Sequence, residues 1–146
     1  MFRRLIATSS VWFTVPLRLG IGAIFLGHGL QKVLGSFGGP GLKLFTSFAA
    51  PYPFMRPSWL WMGVAAFSEL LGGILLLLGL LTRAGAFFLA FTMAIAIAGV
   101  HWPIFFAPKG FEYPLALLAG CLALLISGGG ALSVDLGLSG SGGRRR

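Results

Sequence analysis

Seven side chains within or at the ends of long apolar runs could do chemistry: Arg18, His28, Gln31, Lys32, Glu69, His101 and Glu112. His28, Gln31 and Lys32 fall within the stretch FLGHGLQK, and His28 and Lys32 stand one helical turn apart. An imidazole moves protons near neutral pH. An ammonium donates hydrogen bonds to a carbonyl, and a carboxylate in an apolar setting must pair with a cation or hold a proton. Together they suit a site that hydrogen-bonds a ligand and exchanges protons with it. The same residues also suit interhelical ion pairs that fix register without any ligand. Arg18 and Glu69 form one such possible internal pair; the other course for Arg18 is to snorkel to the interface.

Other chemistries find little support. Metal ligation needs clustered ligands. The two histidines and the glutamates have no close spacing such as HxxH, so no metal is expected. A haem between His28 and His101 would rest on that pair alone. No Walker, GxGxxG or CxxC motif is present. Cys121 is a lone cysteine, so an intrachain disulfide is excluded and a buried inert thiol is expected.

The elements that must carry these residues follow from composition. The chain has 146 residues, is 57% hydrophobic and 10% charged, and has a mean hydropathy of +0.93. Soluble domains carry about 25% charged residues. Apolar runs cover 15–34, 59–80, 84–103 and 112–131, each near the ~20 residues that cross a bilayer as a helix. The expectation is an all-α polytopic membrane protein, a four-helix transmembrane bundle occupying 1–136, with a flexible basic tail at 137–146. A short helical or irregular loop joins the first two spans: GLKLFTSFAA reads as a short amphipathic helix and PYPFMRPSW as a proline-broken stretch. Thr82 is placed to cap the third span.

Eleven basic residues face three acids, a net charge of +8. Arg3, Arg4, Arg83 and Arg144 to Arg146 fall on one side of a four-span chain, and Lys43, Arg56 and Lys109 on the other. The positive-inside rule then puts both termini in the cytoplasm of an inner-membrane protein. Membrane orientation accounts for the basic excess, so no nucleic-acid partner is expected. The first span reads as an uncleaved anchor, preceded by an interfacial segment at 5–16.

Small residues mark the packed face of membrane helices. By that rule the inward stripes are Gly20, Ala23, Gly27 and Gln31; Ala65, Glu69, Gly72 and Gly73; Ala86, Ala90, Ala94 and Ala98; and Glu112, Ala116, Ala119, Gly120, Ala123 and Ser127. Glu69 then lies near the midplane, with His28 about 5 Å and Lys32 about 11 Å outward of it. His28, Gln31, Lys32, Glu69, His101 and Glu112 are expected to line one polar pocket open to the outer side.

Three segments carry a family resemblance: RLGIGAIFLGHGLQKVLGSFGGPGL, SELLGGILLLLGLLTRAGAFFLA, and VHWPIFF followed by KGFEYPLALLAGCLALLISGGGALSVD. In order and context they resemble the DoxX family of four-span bacterial membrane proteins, over about residues 17–136. The family is named after a subunit of an archaeal thiosulfate:quinone oxidoreductase, and related members are linked to membrane oxidoreductase complexes and to thiol or oxidative-stress homeostasis. The resemblance implies a redox-associated subunit that binds a quinone in its cavity and takes electrons from a soluble or membrane partner protein. Two other readings stay open: a non-enzymatic scaffold or small-molecule-binding protein, and a small-solute transporter. Self-association is compatible with all three.

Overall fold

The computed structural model describes residues 6–106 and 108–140. Arg3, Arg4 and Arg144 to Arg146 lie outside the described residues. All regular structure among the described residues is helical. Helix α1 is Thr14–Leu34, α2 is Gly41–Thr46, α3 is Ser58–Leu78, α4 is Thr82–Ala96, α5 is Glu112–Ser127 and α6 is Val134–Gly140. A π-helical turn, Ile97–His101, extends α4.

Glycines close these helices where the chain must enter the left-handed region. Gly35 ends α1 at φ 73° and Gly79 ends α3 at φ 63°. Gly128, at φ 79°, stops α5 after Ser127, four residues short of the expected span end. Residues 137–140 close α6 rather than opening a flexible tail.

The helices α3 (Ser58–Leu78) and Thr82–His101 are long and apolar enough to cross a membrane, each holding an 18-residue stretch with a mean hydropathy of 1.9. Only 28% of each is buried inside the molecule. Phe67, Leu71, Ile74, Phe87, Phe88 and Phe91 stand on the outside, an exposed apolar face of the kind that meets a partner or a membrane. Helix α1 has 21 residues but carries Arg18, His28, Gln31 and Lys32; α5 is apolar but has 16 residues.

The core is a cluster of Ile21 and Phe25 from α1, Leu76 from α3, Ala86, Leu89, Ala90 and Met93 from α4, and Leu117, Cys121 and Leu124 from α5. Cys121 is a buried core residue. Helices α1 and α3 approach most closely. A Cβ on Gly29 would lie 2.4 Å from the Leu70 Cα, and one on Gly73 would lie 2.5 Å from the Leu26 backbone nitrogen.

The buried stripes correct the phase read from small residues. On α1 the inward line is Arg18, Gly22, Phe25 and Gly29, whereas Gly20 and Ala23 are exposed and Gly27 has open space beside it. On α5 the inward line is Pro114, Leu117, Cys121 and Leu124, and Ala116 and Ala119 face out. On α4, Ala86 and Ala90 are buried but Ala94 and Ala98 are not. A four-residue repeat drifts by about 40° per step on an α-helix, so a straight alanine stripe leaves the core after two steps. The α3 stripe does hold: Glu69, Gly72 and Gly73 are buried.

Candidate ligand cavity

A cavity of about 700 Å³ lies between α3 and α4 and is covered by α2 and the segment that follows it. From α3 it takes Trp61, Met62, Val64, Ala65, Ser68 and Glu69. Phe88, Phe91, Thr92 and Ile95 of α4, at helical spacing, face them. Phe45, Phe48, Pro51 and Met55 form the cover. The lining is mostly apolar and aromatic, with Lys32, Glu69 and His101 as its ionisable groups.

The Lys32 Nζ donates to the Glu69 Oε2 in an ion pair between α1 and α3. Glu69 is 4% exposed at its side chain and Lys32 23%. The ammonium also stands 5.4 Å from the centre of the Phe45 ring, a cation–π distance. Antiparallel pairing of α3 and α4 about the turn at Gly79 puts Glu69 at the deep end of the cavity. Trp61 lies about 12 Å further out along α3.

His101 sits at that outer end, in the π turn. Its Nδ1–H donates to the Lys109 carbonyl at 2.8 Å, which leaves Nε2 of the neutral ring as an acceptor. The π turn also seats the cover. A Cβ on Gly99 would meet the Pro51 Cβ at 2.6 Å and the Tyr52 ring at 3.1 Å, so only glycine lets the segment lie this close.

Three of the expected residues are elsewhere. His28 faces α5, its ring centroid 6.3 Å from that of Tyr113. The backbone of Gln31 packs under Gly39, and Glu112 heads α5 with its backbone N–H on the Phe105 carbonyl at 3.0 Å. None of the three lines the cavity. Of the six residues expected in one pocket, Lys32, Glu69 and His101 line this cavity, which is otherwise mostly apolar. The aromatic lining was missed because it comes from the loop and from faces of α3 and α4 that meet only after folding. The proline-rich composition of the loop was its one visible signal.

Arg18 neither snorkels nor reaches Glu69. It is 2% exposed. Its guanidinium donates to the carbonyls of Leu76 and Leu77 at the end of α3, at 3.2 and 2.8 Å, and to those of Ala131 and Leu132, at 3.4 and 2.5 Å. Fourteen residues of helix, about 21 Å, separate Arg18 from Lys32, so the two cations serve opposite ends of the bundle. Asp135, unassigned from sequence, is 1% exposed and accepts the backbone N–H groups of Leu81 and Thr82 at 2.8 and 2.9 Å. It thereby caps α4 in place of Thr82, whose own hydroxyl is buried without a partner. The Arg18 cation and the Asp135 carboxylate tie the end of α3, the start of α4 and the start of α6 into one knot.

A family model described as DoxX matches residues 13–102, from the start of α1 through the π turn that holds His101. No curated protein and no solved structure matches the chain.

Proposed function

The chain belongs to the DoxX family, and from that premise we propose that it is a four-span inner-membrane protein that binds a lipid-soluble quinone in the α3–α4 cavity. In this reading α1, α3, α4 with its π turn, and α5 are the spans. Both termini are cytoplasmic, on the side of Arg83, and the cover of the cavity is on the outer side, with Lys43 and Arg56. The exposed apolar residues of α3 and α4 support the membrane setting.

One observation carries the ligand reading: the Lys32–Glu69 pair, its carboxylate buried, forms the floor of a mostly apolar, aromatic-lined chamber. A quinone ring is flat and apolar, with carbonyls that accept hydrogen bonds. The Lys32 ammonium can donate to one carbonyl and stabilise the negative charge that gathers on it during reduction. Reduction to the quinol takes two electrons and two protons. The electrons come from a redox centre on a partner protein; Lys32 can give a proton to the oxygen nearest it, with Glu69 relaying the replacement, and the second proton reaches the far oxygen from solvent. The chain would thus be the quinone-binding subunit of a membrane oxidoreductase complex.

The test is to extract the full chain with its native lipid, identify copurifying small molecules by mass spectrometry, and titrate quinone against the fluorescence of a variant that keeps Trp61 alone of its four tryptophans. Bound quinone and quenching that is lost in Lys32→Met are expected. A preparation free of quinone that also shows no saturable quenching would overturn the reading. Cysteine labelling tests topology against the buried Cys121: Lys43→Cys is expected to react from outside and Gly137→Cys only from the cytoplasm.

A further inference from the structure

The cavity has two possible entrances, and the lining residues differ between them. Toward the outer side it is only partly covered, because Phe48, Trp61 and Val100 line it there and are 45%, 37% and 62% exposed. Met55 is buried, and Pro51 and Tyr52 are pressed onto Gly99. Toward the side, between α3 and α4, the lining residues are also surface residues. Val64 on α3 is 51% exposed, and Phe88 and Phe91 on α4 are 54% and 55% exposed. A residue that both lines a cavity and stands half outside marks its mouth. This mouth is apolar on both lips and opens onto the same surface as Phe67 and Phe87, the surface that faces lipid in a spanning bundle.

We infer that the ligand enters sideways from the bilayer between Val64 and Phe91, with its polar head on the Lys32–Glu69 floor and a hydrocarbon chain left lying across the mouth. This rests on the quinone reading and deepens it: the occupant is a chain-bearing amphiphile, and the chain contributes to binding. Deeper in the molecule α3 and α4 close on one another. A Cβ on Gly72 would meet the Leu89 side chain at 2.7 Å, so the slot ends near the level of the floor and the chain cannot leave at the deep end. A water-borne polar ligand would have to cross those apolar lips and shed its hydration to arrive. A membrane-dissolved amphiphile reaches the same place with its chain still in hydrocarbon. The same chemistry fits two sources, a prenylated quinone or a phospholipid acyl chain.

The experiment uses the full chain in phospholipid nanodiscs, with Trp61 fluorescence as readout in a background where Trp12, Trp59 and Trp102 are replaced by Phe. Three probes are titrated: a decyl-tailed benzoquinone, the tail-less benzoquinone, and added short-chain phospholipid as competitor. In the wild type the tailed quinone is expected to bind at least about tenfold more tightly than the tail-less one. Val64→Phe, which fills the mouth from the exposed side, is expected to remove that advantage. Phe91→Ala, which widens the mouth, is expected to reduce the advantage without adding bulk, so the inference does not hang on one variant.

Equal binding of both quinones in the wild type, with neither mouth variant affecting either, overturns the lateral entrance and leaves the quinone reading standing. Displacement of the tailed quinone by phospholipid, with no tail-less binding at all, supports the lateral entrance and overturns the quinone as occupant. Absence of binding by every probe overturns both.

Discussion

Lys32 of α1 and Glu69 of α3 are ion-paired at the deep end of an apolar cavity, and Phe45 covers the ammonium from the other side. The pair lies one turn beyond the closest approach of the two helices, where Gly29 packs on the backbone of Leu70. That packing brings the floor of the cavity together: a wider separation of α1 and α3 would take Lys32 out of reach of the carboxylate.

Removing the cation alone strands a carboxylate that is 4% exposed. Lys32→Met is expected to cost about 3–5 kcal/mol, read as a lower thermal unfolding midpoint in detergent. Glu69→Leu is expected to cost less, because Lys32 is 23% exposed and its long stem can carry the charge outward. The double variant Lys32→Met with Glu69→Leu is expected to recover most of the stability and to lose quinone binding. Retained binding in a stable double variant would reduce the pair to a helix-register device.

Two glycines on the same helix separate packing from propensity. Gly29→Ala puts a Cβ against backbone and is expected to destabilise by about 1–3 kcal/mol. Gly27→Ala meets nothing within 4 Å and is expected to stay within about 0.5 kcal/mol of the wild type. Unfolding midpoints measured side by side decide it; equal losses would contradict the α1–α3 interface described above.

At the other end of the bundle, Asp135→Ala removes both acceptors for the first N–H groups of α4. A loss of about 1–3 kcal/mol is expected. Amide exchange should quicken at Leu81 and Thr82 before the rest of α4 responds. Thr82→Val should be close to neutral, since the Thr82 hydroxyl has no partner.

Arg18 spreads its donors over four carbonyls from two segments. A lysine has one point charge and no fork, so Arg18→Lys is expected to leave part of that set unpaired and to lose about 1–3 kcal/mol. Proteolysis or exchange at 131–140 should report the loss first, and unchanged protection there would contradict the knot.

Gly99→Val is expected to lift the cover from the π turn. Hydrogen exchange across 45–55 should accelerate while α1 and α3 keep their protection. Ligand dissociation should speed up in parallel.

Much of the fold was legible because hydrophobicity is a local property. Runs of apolar residues between glycine and proline breakers located α1, α3, α4 and α5 to within a few residues. The DoxX resemblance rested on contiguous segments of the same kind. The polar residues inside those runs, Lys32 and Glu69 above all, were visible as anomalies for the same reason.

Their partners were not legible. Helical phase read from small residues put Gly20, Ala23 and Gly27 inward, but the close contact is made by Gly22 and Gly29. Small size permits close approach without requiring it, and the residues around decide which glycine is used. Asp135 draws no role from the sequence, because its two hydrogen-bond donors lie more than fifty residues away. Thr82 looked like a cap because capping is usually local, and here a distant carboxylate does it.

The sequence by itself determined that this chain forms long apolar helices, that a few ionisable residues lie within them, and that these must be paired or protonated. Those outcomes depend on solvation and on spacing within one helix. Only the tertiary structure decided that Lys32, and not Arg18, meets Glu69, that His28, Gln31 and Glu112 stay outside the cavity, and that the mouth is apolar. These depend on which helix faces touch and how closely, which is set by shape complementarity between segments far apart in the chain.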